Sequence, residues 1–195
     1  MSVIRNFLLI ILSVLVMTNT ANAVSSDNNS EDDLKKLENT LYLELKYGKV
    51  AIELLPEVAP NHVERIKELA REGFYDGIVF HRVIDGFMAQ TGDPTGTGMG
   101  GSDKPDLQAE FSDIPHERGV LSMARSANPN SANSQFFIVL EDSYFLDGKY
   151  TVFGKVTEGM EYVDDIKKGD PRNNGAVSDP DKIISLKVAI DTVEQ

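Results

Sequence analysis

The chain has 195 residues, which is enough for one domain with a substantial hydrophobic core and short for two. It contains 19 lysine and arginine residues against 31 aspartate and glutamate residues, a formal net charge of -12, so we expect no nucleic-acid partner. Cysteine is absent, which excludes disulfides and leaves the fold dependent on its core.

Residues 1–23 have the pattern of a secretory signal peptide. Arg5 precedes an apolar run from Phe7 to Met17 that is short for a membrane span, so we expect no stable membrane insertion. Small residues at Ala21 and Ala23 match a cleavage site, and we predict cleavage after Ala23 and export to the periplasm. An uncleaved anchor is the alternative for the segment, and an outer leaflet or another secretory pathway is the alternative destination.

Residues 24–39 are polar and acidic, with too little apolar content to bury. This composition predicts a flexible leader, with a helical tendency from Glu31 to Leu37. The folded domain is predicted to occupy residues 40–195.

The domain opens with a hairpin pattern followed by a helical one. The segment "TLYLELKYGKVAIEL" alternates leucine with other side chains on either side of a Tyr47-Gly48 turn, which indicates two antiparallel strands. The next segment, "APNHVERIKELAREG", has apolar residues at helical spacing, with Asn61 as the predicted N-cap and Gly73 as the stop.

Six more strand-like runs bring the predicted total to eight: "IVFHRVI", "FMAQT", "GVLSMA", "QFFIVL", "YTVFGKV" and "KIISLKVAI". A second amphipathic helix is predicted over residues 159–169. Eight mostly antiparallel strands can close on themselves and so remove exposed edges. The predicted fold is therefore mainly β: a closed eight-stranded antiparallel β-barrel capped by two α-helices. The loops 92–110 and 169–181 are long for a compact domain, and long loops are often functional.

The glycine-rich segment "TGTGMGG" has the glycine spacing of a dinucleotide-binding fingerprint, but the residues that follow it do not fit that motif. Gly96, Gly98 and Gly101 have the required separation, but no amphipathic helix follows and Pro105 interrupts the next segment. A phosphate-binding P-loop is excluded because no Gly-Lys-Ser/Thr triplet occurs. These glycines are expected to permit tight turns.

The sequence contains no motif typical of a metal site or of covalent catalysis. His62, His81 and His116 are far apart, and none has a second ligand at metal-binding spacing. Ser122 lies inside a predicted strand, outside any nucleophile motif. We therefore predict no metal, no cofactor and no covalent intermediate.

Four ordered stretches carry a family resemblance. "FHRVIDGFMAQTGD", the glycine loop, "LSMARSANPNSANSQFFIVL" and "FLDGKYTVFGKV" closely resemble the cyclophilin family of peptidyl-prolyl cis-trans isomerases. The resemblance extends from about Thr40 to Ile190. Its variants are similar to those of bacterial cyclophilins, which agrees with a periplasmic location.

The resemblance implies a site, position by position. Arg82 would be the catalytic arginine, although an arginine on a strand by itself more often lies along the sheet surface. The apolar pocket for proline would be lined by Phe87, Met88, Phe137 and Leu146. The substrate peptide would be held by Gln90 and the backbone around Ala124 and Arg125, and His81 would sit at the rim. Phe145 and Tyr150 would also be substrate-binding positions.

Three positions depart from the pattern best known in eukaryotic members of the family. Phe145 stands where many have tryptophan, Tyr150 where many have histidine, and Asp85 where proline is common. Tryptophan offers an indole N–H donor to cyclosporin, so weak cyclosporin binding at most is expected here. The isomerase activity does not depend on that donor.

The predicted hairpin raises a question of register. A two-residue turn at Asp85 and Gly86 would pair Arg82 with Ala89 and put Gln90 on the opposite face. The implied site needs Arg82 and Gln90 on one face. We therefore predict a wider turn or a bulge near Asp85.

The predicted activity is acceleration of X-Pro bond rotation in proline-containing polypeptides, such as unfolded or exported proteins, by a monomer. One alternative is a module that binds proline-containing segments as a chaperone with little catalysis. A second is a lipocalin-like barrel with an apolar ligand inside, which bulky strand residues such as Phe80, Phe136 and Phe153 disfavour.

Overall fold

The computed structural model describes residues 30–193. Residues 1–29, with the predicted signal peptide and residues 24–29 of the predicted leader, lie outside the described residues. The chain divides into two units, Met1–Lys36 and Leu37–Gln195. Residues 30–38 form a helix, α1, where the sequence predicts a helical tendency. None of the helices within residues 30–193 has the length and apolar character needed to cross a membrane.

The second unit contains the eight predicted strands and two α-helices. The strands are β1 (Thr40–Leu45), β2 (Gly48–Leu54), β3 (Arg82–Ile84), β4 (Met88–Thr91), β5 (Val120–Met123), β6 (Phe136–Val139), β7 (Val152–Glu158) and β8 (Ser185–Val188). The helices are α2 (Pro60–Arg71) and α3 (Met160–Asp164), with short 3-10 helices at Tyr144–Leu146, Pro171–Asn173 and Ala189–Thr192.

All strand pairs of the sheet are antiparallel, in the order β3-β4-β6-β5-β7-β2-β1-β8. The prediction of a closed barrel is not confirmed, because β3 and β8 stand at the two ends of this order. Within the described residues, the segments that precede these two strands are joined by one isolated bridge, between Val79 and Lys182. The ladder is therefore open at this seam, and the protein is a curled sheet of eight antiparallel strands.

The inside of the curled sheet is filled by side chains. Phe80, Phe136 and Phe153 are buried there, and the Phe136 ring makes edge contacts with the Tyr75 and Phe153 rings at centroid distances of 5.6 and 5.9 Å. Helix α2 contacts β7 and β8, and α3 contacts β2. This filled interior, hereafter the inner core, excludes the lipocalin-like alternative.

The ends of helix α2 show one wrong and one confirmed prediction. Asn61 is not the N-cap: Ala59 takes that position, and the Glu110 carboxylate accepts hydrogen bonds from the backbone N–H groups of Asn61 and His62 at 3.3 and 3.2 Å. A carboxylate from another part of the chain therefore accepts hydrogen bonds from the backbone N–H groups of the first helical turn. Gly73 does end the helix, with a positive φ of 69°.

Helix α3 is shorter than the predicted helix over residues 159–169. The Lys167 backbone N–H donates to the Asp181 carboxylate at 2.9 Å, and that of Gly169 donates to the Val83 carbonyl at 2.9 Å. These long-range bonds replace the bonds that would continue the helix. Val163 and Ile166 are buried as the predicted apolar face requires.

Three central strands, β4, β5 and β6, bury side chains on both faces of the sheet. One set of alternate residues enters the inner core, and the other set forms a second apolar cluster on the outer face. This outer apolar cluster comprises Met88, Val120, Phe137, Val139, Leu146 and Val152, with Phe87, Ala124 and Tyr150 among the partly buried residues packed against it. The candidate site lies on this outer face.

Candidate functional site

The hairpin of β3 and β4 puts Arg82 and Gln90 side by side. Its loop has three residues, 85–87, because Ile84 pairs with Met88 and Arg82 therefore pairs with Gln90. The prediction of a wider turn near Asp85 is confirmed. An odd-length loop was needed, since a shift of one residue would turn Gln90 to the other face.

The Arg82 guanidinium is held by three hydrogen bonds to neutral oxygens. Its Nε–H donates to the Asn174 carbonyl at 3.0 Å, Nη2 donates to Asn174 Oδ1 at 3.0 Å, and Nη1 donates to Gln90 Oε1 at 3.1 Å. Nη1 also lies 3.9 Å from Met88 Sδ, at the border of the outer apolar cluster. Burial lowers the pKa of Arg82, but a guanidinium stays protonated at neutral pH.

These bonds leave part of the guanidinium available. A guanidinium has five N–H donors, and three of them are used by Asn174 and Gln90. One N–H on Nη1 and one on Nη2 remain without an oxygen acceptor among the described residues. The Nη1–H that remains is on the atom next to Met88, so a donor borders an apolar surface.

A cross-strand row on the outer face brings the predicted pocket together. Arg82 pairs with Gln90, Gln90 with Phe137, and Phe137 with Ser122, so the four residues lie in register across four strands. Phe137 is 5% exposed, and its ring packs edge-on against the Tyr150 ring at 5.9 Å. Met88, Leu146 and Phe87 belong to the same apolar cluster. The structure therefore assembles all four residues predicted for the proline pocket.

Two aromatic residues that the resemblance implies in substrate binding, Phe145 and Tyr150, lie above this cluster. Phe145, in the 3-10 helix Tyr144–Leu146, is 63% exposed, and its ring lies 5.4 Å from the Phe87 ring. Tyr150 packs against the cluster, with the Arg125 guanidinium 4.5 Å from its ring centroid. A partly exposed aromatic wall thus borders the pocket.

A groove with a cavity volume of about 530 Å³ lies next to the pocket. Gln90, Ala124, Arg125 and Gln135 are among its lining residues, together with the glycine loop. Ala124 also packs on the outer apolar cluster, so groove and pocket share this residue. The predicted peptide-holding residues therefore line one continuous surface.

Gln135 is a site residue that the sequence prediction missed. Its Oε1 accepts from Gln90 Nε2 at 2.9 Å, and its Nε2 donates to the carbonyls of Gly98 and Gly100 at 3.1 and 2.7 Å. It therefore connects the glycine loop to Gln90, and through Gln90 to Arg82. A polar residue at the start of the apolar run "FFIVL" was the available signal.

Asp93 is the second missed residue, and it organises the glycine loop. The carboxylate is 1% exposed and accepts from the backbone N–H groups of Thr95, Thr97, Gly98 and Gly100 at 2.6 to 3.2 Å. Burial raises its pKa, but these hydrogen bonds outweigh burial and lower the pKa to about 2. The turn function predicted for the glycines is correct, and Asp93 is what stabilises the turns.

His81 does not belong to the outer apolar cluster. It is 9% exposed, neither ring nitrogen has a hydrogen-bond partner among the described residues, and burial lowers its pKa. It lines a separate cavity of about 260 Å³ with Arg82, Gln90 and Asn174. The predicted contact of His81 with substrate at the rim stays a prediction, and the buried ring nitrogens do not favour it.

A buried polar chain supports the pocket from below. The His116 ring stacks on Phe137 at 6.4 Å and lies between Asp147 Oδ1, at 2.9 Å, and Ser122 Oγ, at 3.1 Å. Ser122 is fully buried and donates to the Thr151 carbonyl at 2.9 Å, so this arrangement does not present a nucleophile. Within residues 30–193, no group of three or more metal-ligating side chains is placed to hold an ion.

Comparisons with known proteins agree with this geometry. The sequence model of the family "Cyclophilin type peptidyl-prolyl cis-trans isomerase/CLD" matches residues 40–188. A probable peptidyl-prolyl cis-trans isomerase of Brucella suis is 57% identical over 166 residues, which cover 80% of this chain and 85% of that protein.

Solved structures show the same fold. A cyclophilin from Hirschia baltica superposes with a TM-score of 0.70 at 31% identity, covering 78% of this chain and 74% of the other. A cyclophilin-type isomerase of Cryptosporidium parvum, crystallised in the presence of the dipeptide Ala-Pro, has a TM-score of 0.70 at 30% identity, covering 76% and 98%. The chain belongs to the cyclophilin-type peptidyl-prolyl cis-trans isomerases, and its activity is the isomerisation of peptidyl-prolyl bonds.

Proposed function

We propose that Arg82 is the catalytic group of this isomerase, that the outer apolar cluster binds the proline ring, and that the substrates are exported proteins. The observation that carries the proposal is the position of Arg82 Nη1, which keeps one N–H that no oxygen among the described residues accepts and that makes only a long contact of 3.9 Å with Met88 Sδ in that cluster. The Cryptosporidium relative, crystallised in the presence of Ala-Pro, supports a proline-containing substrate for this chain as well.

The reaction needs a donor at the prolyl nitrogen. The X-Pro amide resists rotation because its C–N bond has partial double-bond character, with a barrier of about 18 to 20 kcal/mol. In the twisted state this conjugation is lost and the nitrogen recovers its lone pair. A charged N–H aimed at that nitrogen therefore stabilises the transition state more than either planar ground state.

The remaining groups orient the substrate and exclude water. Phe87, Met88, Phe137 and Leu146 surround the pyrrolidine ring, and the low polarity of this surface strengthens the field of the guanidinium. Gln90 and the backbone at Ala124 hold the peptide on one side of the bond while the other side turns. Bringing relaxation from tens of seconds to milliseconds requires about 5 to 6 kcal/mol, which one oriented charged donor and positioning can supply.

Exchange NMR on a short X-Pro peptide tests the role of Arg82. We expect Arg82→Ala to lower kcat/KM by about 100- to 1000-fold, because the variant lacks the donor that acts only in the transition state. Exposed Arg172, whose side chain pairs only with Asp170 among residues 30–193, provides the matched control Arg172→Ala, expected to keep full activity. An Arg82→Ala variant that still exchanges the cis and trans signals rapidly would disprove the assignment.

The same variant addresses the chaperone alternative. A chaperone that only binds proline-containing segments keeps its antiaggregation effect after Arg82→Ala, and its parent form does not accelerate exchange.

We propose weak cyclosporin binding at most, because Phe145 has no indole donor at the exposed edge of the pocket. We further propose that the protein acts as a monomer.

Export to the periplasm is proposed from the N-terminal sequence alone. Sequencing the N-terminus of the protein recovered from a periplasmic fraction should give Val24 as the first residue. Replacing Ala23 with a bulky residue should leave the precursor uncleaved. Recovery of the full-length chain in the cytoplasm, with Met1 retained, would contradict the proposal.

A further inference from the structure

The long loop between α3 and β8 covers the open edge of the sheet beside Arg82. Val83 exchanges backbone hydrogen bonds with this loop, donating to the Gly175 carbonyl at 2.8 Å and accepting from the Gly169 N–H at 2.9 Å. The Val177 N–H donates to the His81 carbonyl at 3.1 Å. The loop is therefore fixed on both sides of Arg82.

Asn174 occupies an unusual position in this loop. Its φ of 52° lies in the left-handed region, which asparagine tolerates better than most residues. The neighbouring Gly175 runs so close to β3 that a Cβ there would lie 2.4 Å from Ile84 Cγ1. This local conformation turns both oxygens of Asn174, the backbone carbonyl and Oδ1, toward the guanidinium.

The two oxygens form a fork around one edge of Arg82. The carbonyl accepts from Nε–H and Oδ1 accepts from Nη2, each at 3.0 Å. Two bonds to one planar edge fix the rotation of the guanidinium plane, which a single bond does not. Because both acceptors are neutral, they orient the cation without compensating its charge, and the full charge remains for the substrate.

We propose that Asn174 is a positioning residue for the isomerase reaction: its two oxygens orient Arg82 so that the Nη1–H and Nη2–H donors that have no oxygen acceptor are directed at the prolyl bond. The proposal rests on the proposed catalytic role of Arg82. It assigns the loop 169–181 a function that acts through Arg82.

The test compares Asn174→Gly with Asp179→Gly. Glycine keeps the positive φ and the backbone acceptor at residue 174 and removes the side chain with its Oδ1 acceptor. Asp179 is a matched control because it has the same φ of 52° in the same loop, is fully exposed and does not contact Arg82. We expect Asn174→Gly to lower kcat about tenfold with KM little changed, and Asp179→Gly to leave both unchanged.

Two further readouts separate positioning from a structural effect. In the double variant Arg82→Ala/Asn174→Gly, kcat should be no lower than in Arg82→Ala, because Asn174 acts only through Arg82. Nitrogen-15 NMR should show faster rotation of the Arg82 guanidinium in Asn174→Gly than in the parent.

The outcomes are distinct. If Arg82→Ala abolishes catalysis while Asn174→Gly keeps the parent kcat, the positioning role is wrong and the proposed function stands. If Arg82→Ala itself keeps the parent rate, the proposed function fails. An effect of Asn174→Gly that persists in full on the Arg82→Ala background, or that Asp179→Gly reproduces, would overturn the positioning role as well.

Discussion

The two faces of the central strands are both buried, yet they are stabilised in different ways. Phe136 and Phe137 are adjacent in β6; the first enters the inner core and the second enters the outer apolar cluster. Regular strands and helix α2 close the inner core. The outer cluster is closed by loop residues, such as Phe87 and Leu146, and by the polar networks that hold those loops.

Under the proposed function, one short strand serves both structure and function. Side chains on the inner face need only fit their neighbours, so their role is packing. On the outer face the apolar surface remains partly open beside a fixed cation, so a substrate ring can complete it. A β-sheet with one face for stability and the other for binding requires only the alternation of side chains along each strand.

Alanine substitutions of Phe136 and Phe137 test the difference between the two faces most directly. Phe136→Ala should lower the free energy of unfolding by about 4 kcal/mol, because a ring packed between Tyr75 and Phe153 is replaced by a cavity. Phe137→Ala should cost less, about 2 to 3 kcal/mol, because the partly open site can relax or admit water. Urea unfolding of both variants measures these differences.

Activity should change in the opposite order. At equal concentrations of folded protein, Phe137→Ala should lower kcat/KM about 100-fold because the proline pocket loses a wall, whereas Phe136→Ala should stay within about threefold of the parent. Equal losses of kcat/KM in both variants would show that the two faces are not functionally separate. Phe136→Leu provides a milder variant with the same expected order.

The sequence predicts the fold well where the signal is local. The eight strands and the stop of α2 at Gly73 follow from patterns within a few residues, whereas the wider turn near Asp85 is predicted from the site that the family resemblance implies. The open seam, the length of α3 and the cap of α2 do not, because each depends on distant backbone contacts: Lys167 with Asp181, and Asn61 with Glu110.

The candidate site divides in the same way. The resemblance assigns the groups on the strands, and the structure brings Arg82, Gln90 and Phe137 together. Asn174 and Gln135 act through side-chain contacts with residues 92 and 45 positions away. The Asn-Gly pair at residues 174 and 175 is a local signal for a turn, but no local pattern tells which side chain such a turn faces.

A smaller test of the difference between the two regions uses Asp93, the charged residue that organises the glycine loop beside the outer face. Asp93→Asn should lower the free energy of unfolding by about 2 kcal/mol at pH 7, since the variant loses the ionised acceptor of four backbone N–H groups. Asp85→Asn is the control: Asp85 is exposed, and no hydrogen bond of its side chain is found among the described residues. It should change stability by less than about 0.5 kcal/mol.

The stability difference between the parent and Asp93→Asn should depend on pH. The pKa of Asp93 is about 2 in the folded protein, below the value of about 3.9 in an unfolded chain. Its contribution is therefore complete above about pH 5 and is lost as the pH falls from about 4 toward 2. The stability gap between the parent and Asp93→Asn should close over that window, and a constant gap down to pH 2 would contradict the prediction.

Hydrogen exchange locates the same effect in the molecule. In Asp93→Asn, the amides of Thr95, Gly98 and Gly100 should lose protection, while those of β1 and β2 should keep theirs, because β1 and β2 pair with each other and do not donate to this carboxylate. The loosened loop should also release Gln135, and through it Gln90 and Arg82. Loss of protection spread evenly over both faces would mean that the two regions unfold as one unit.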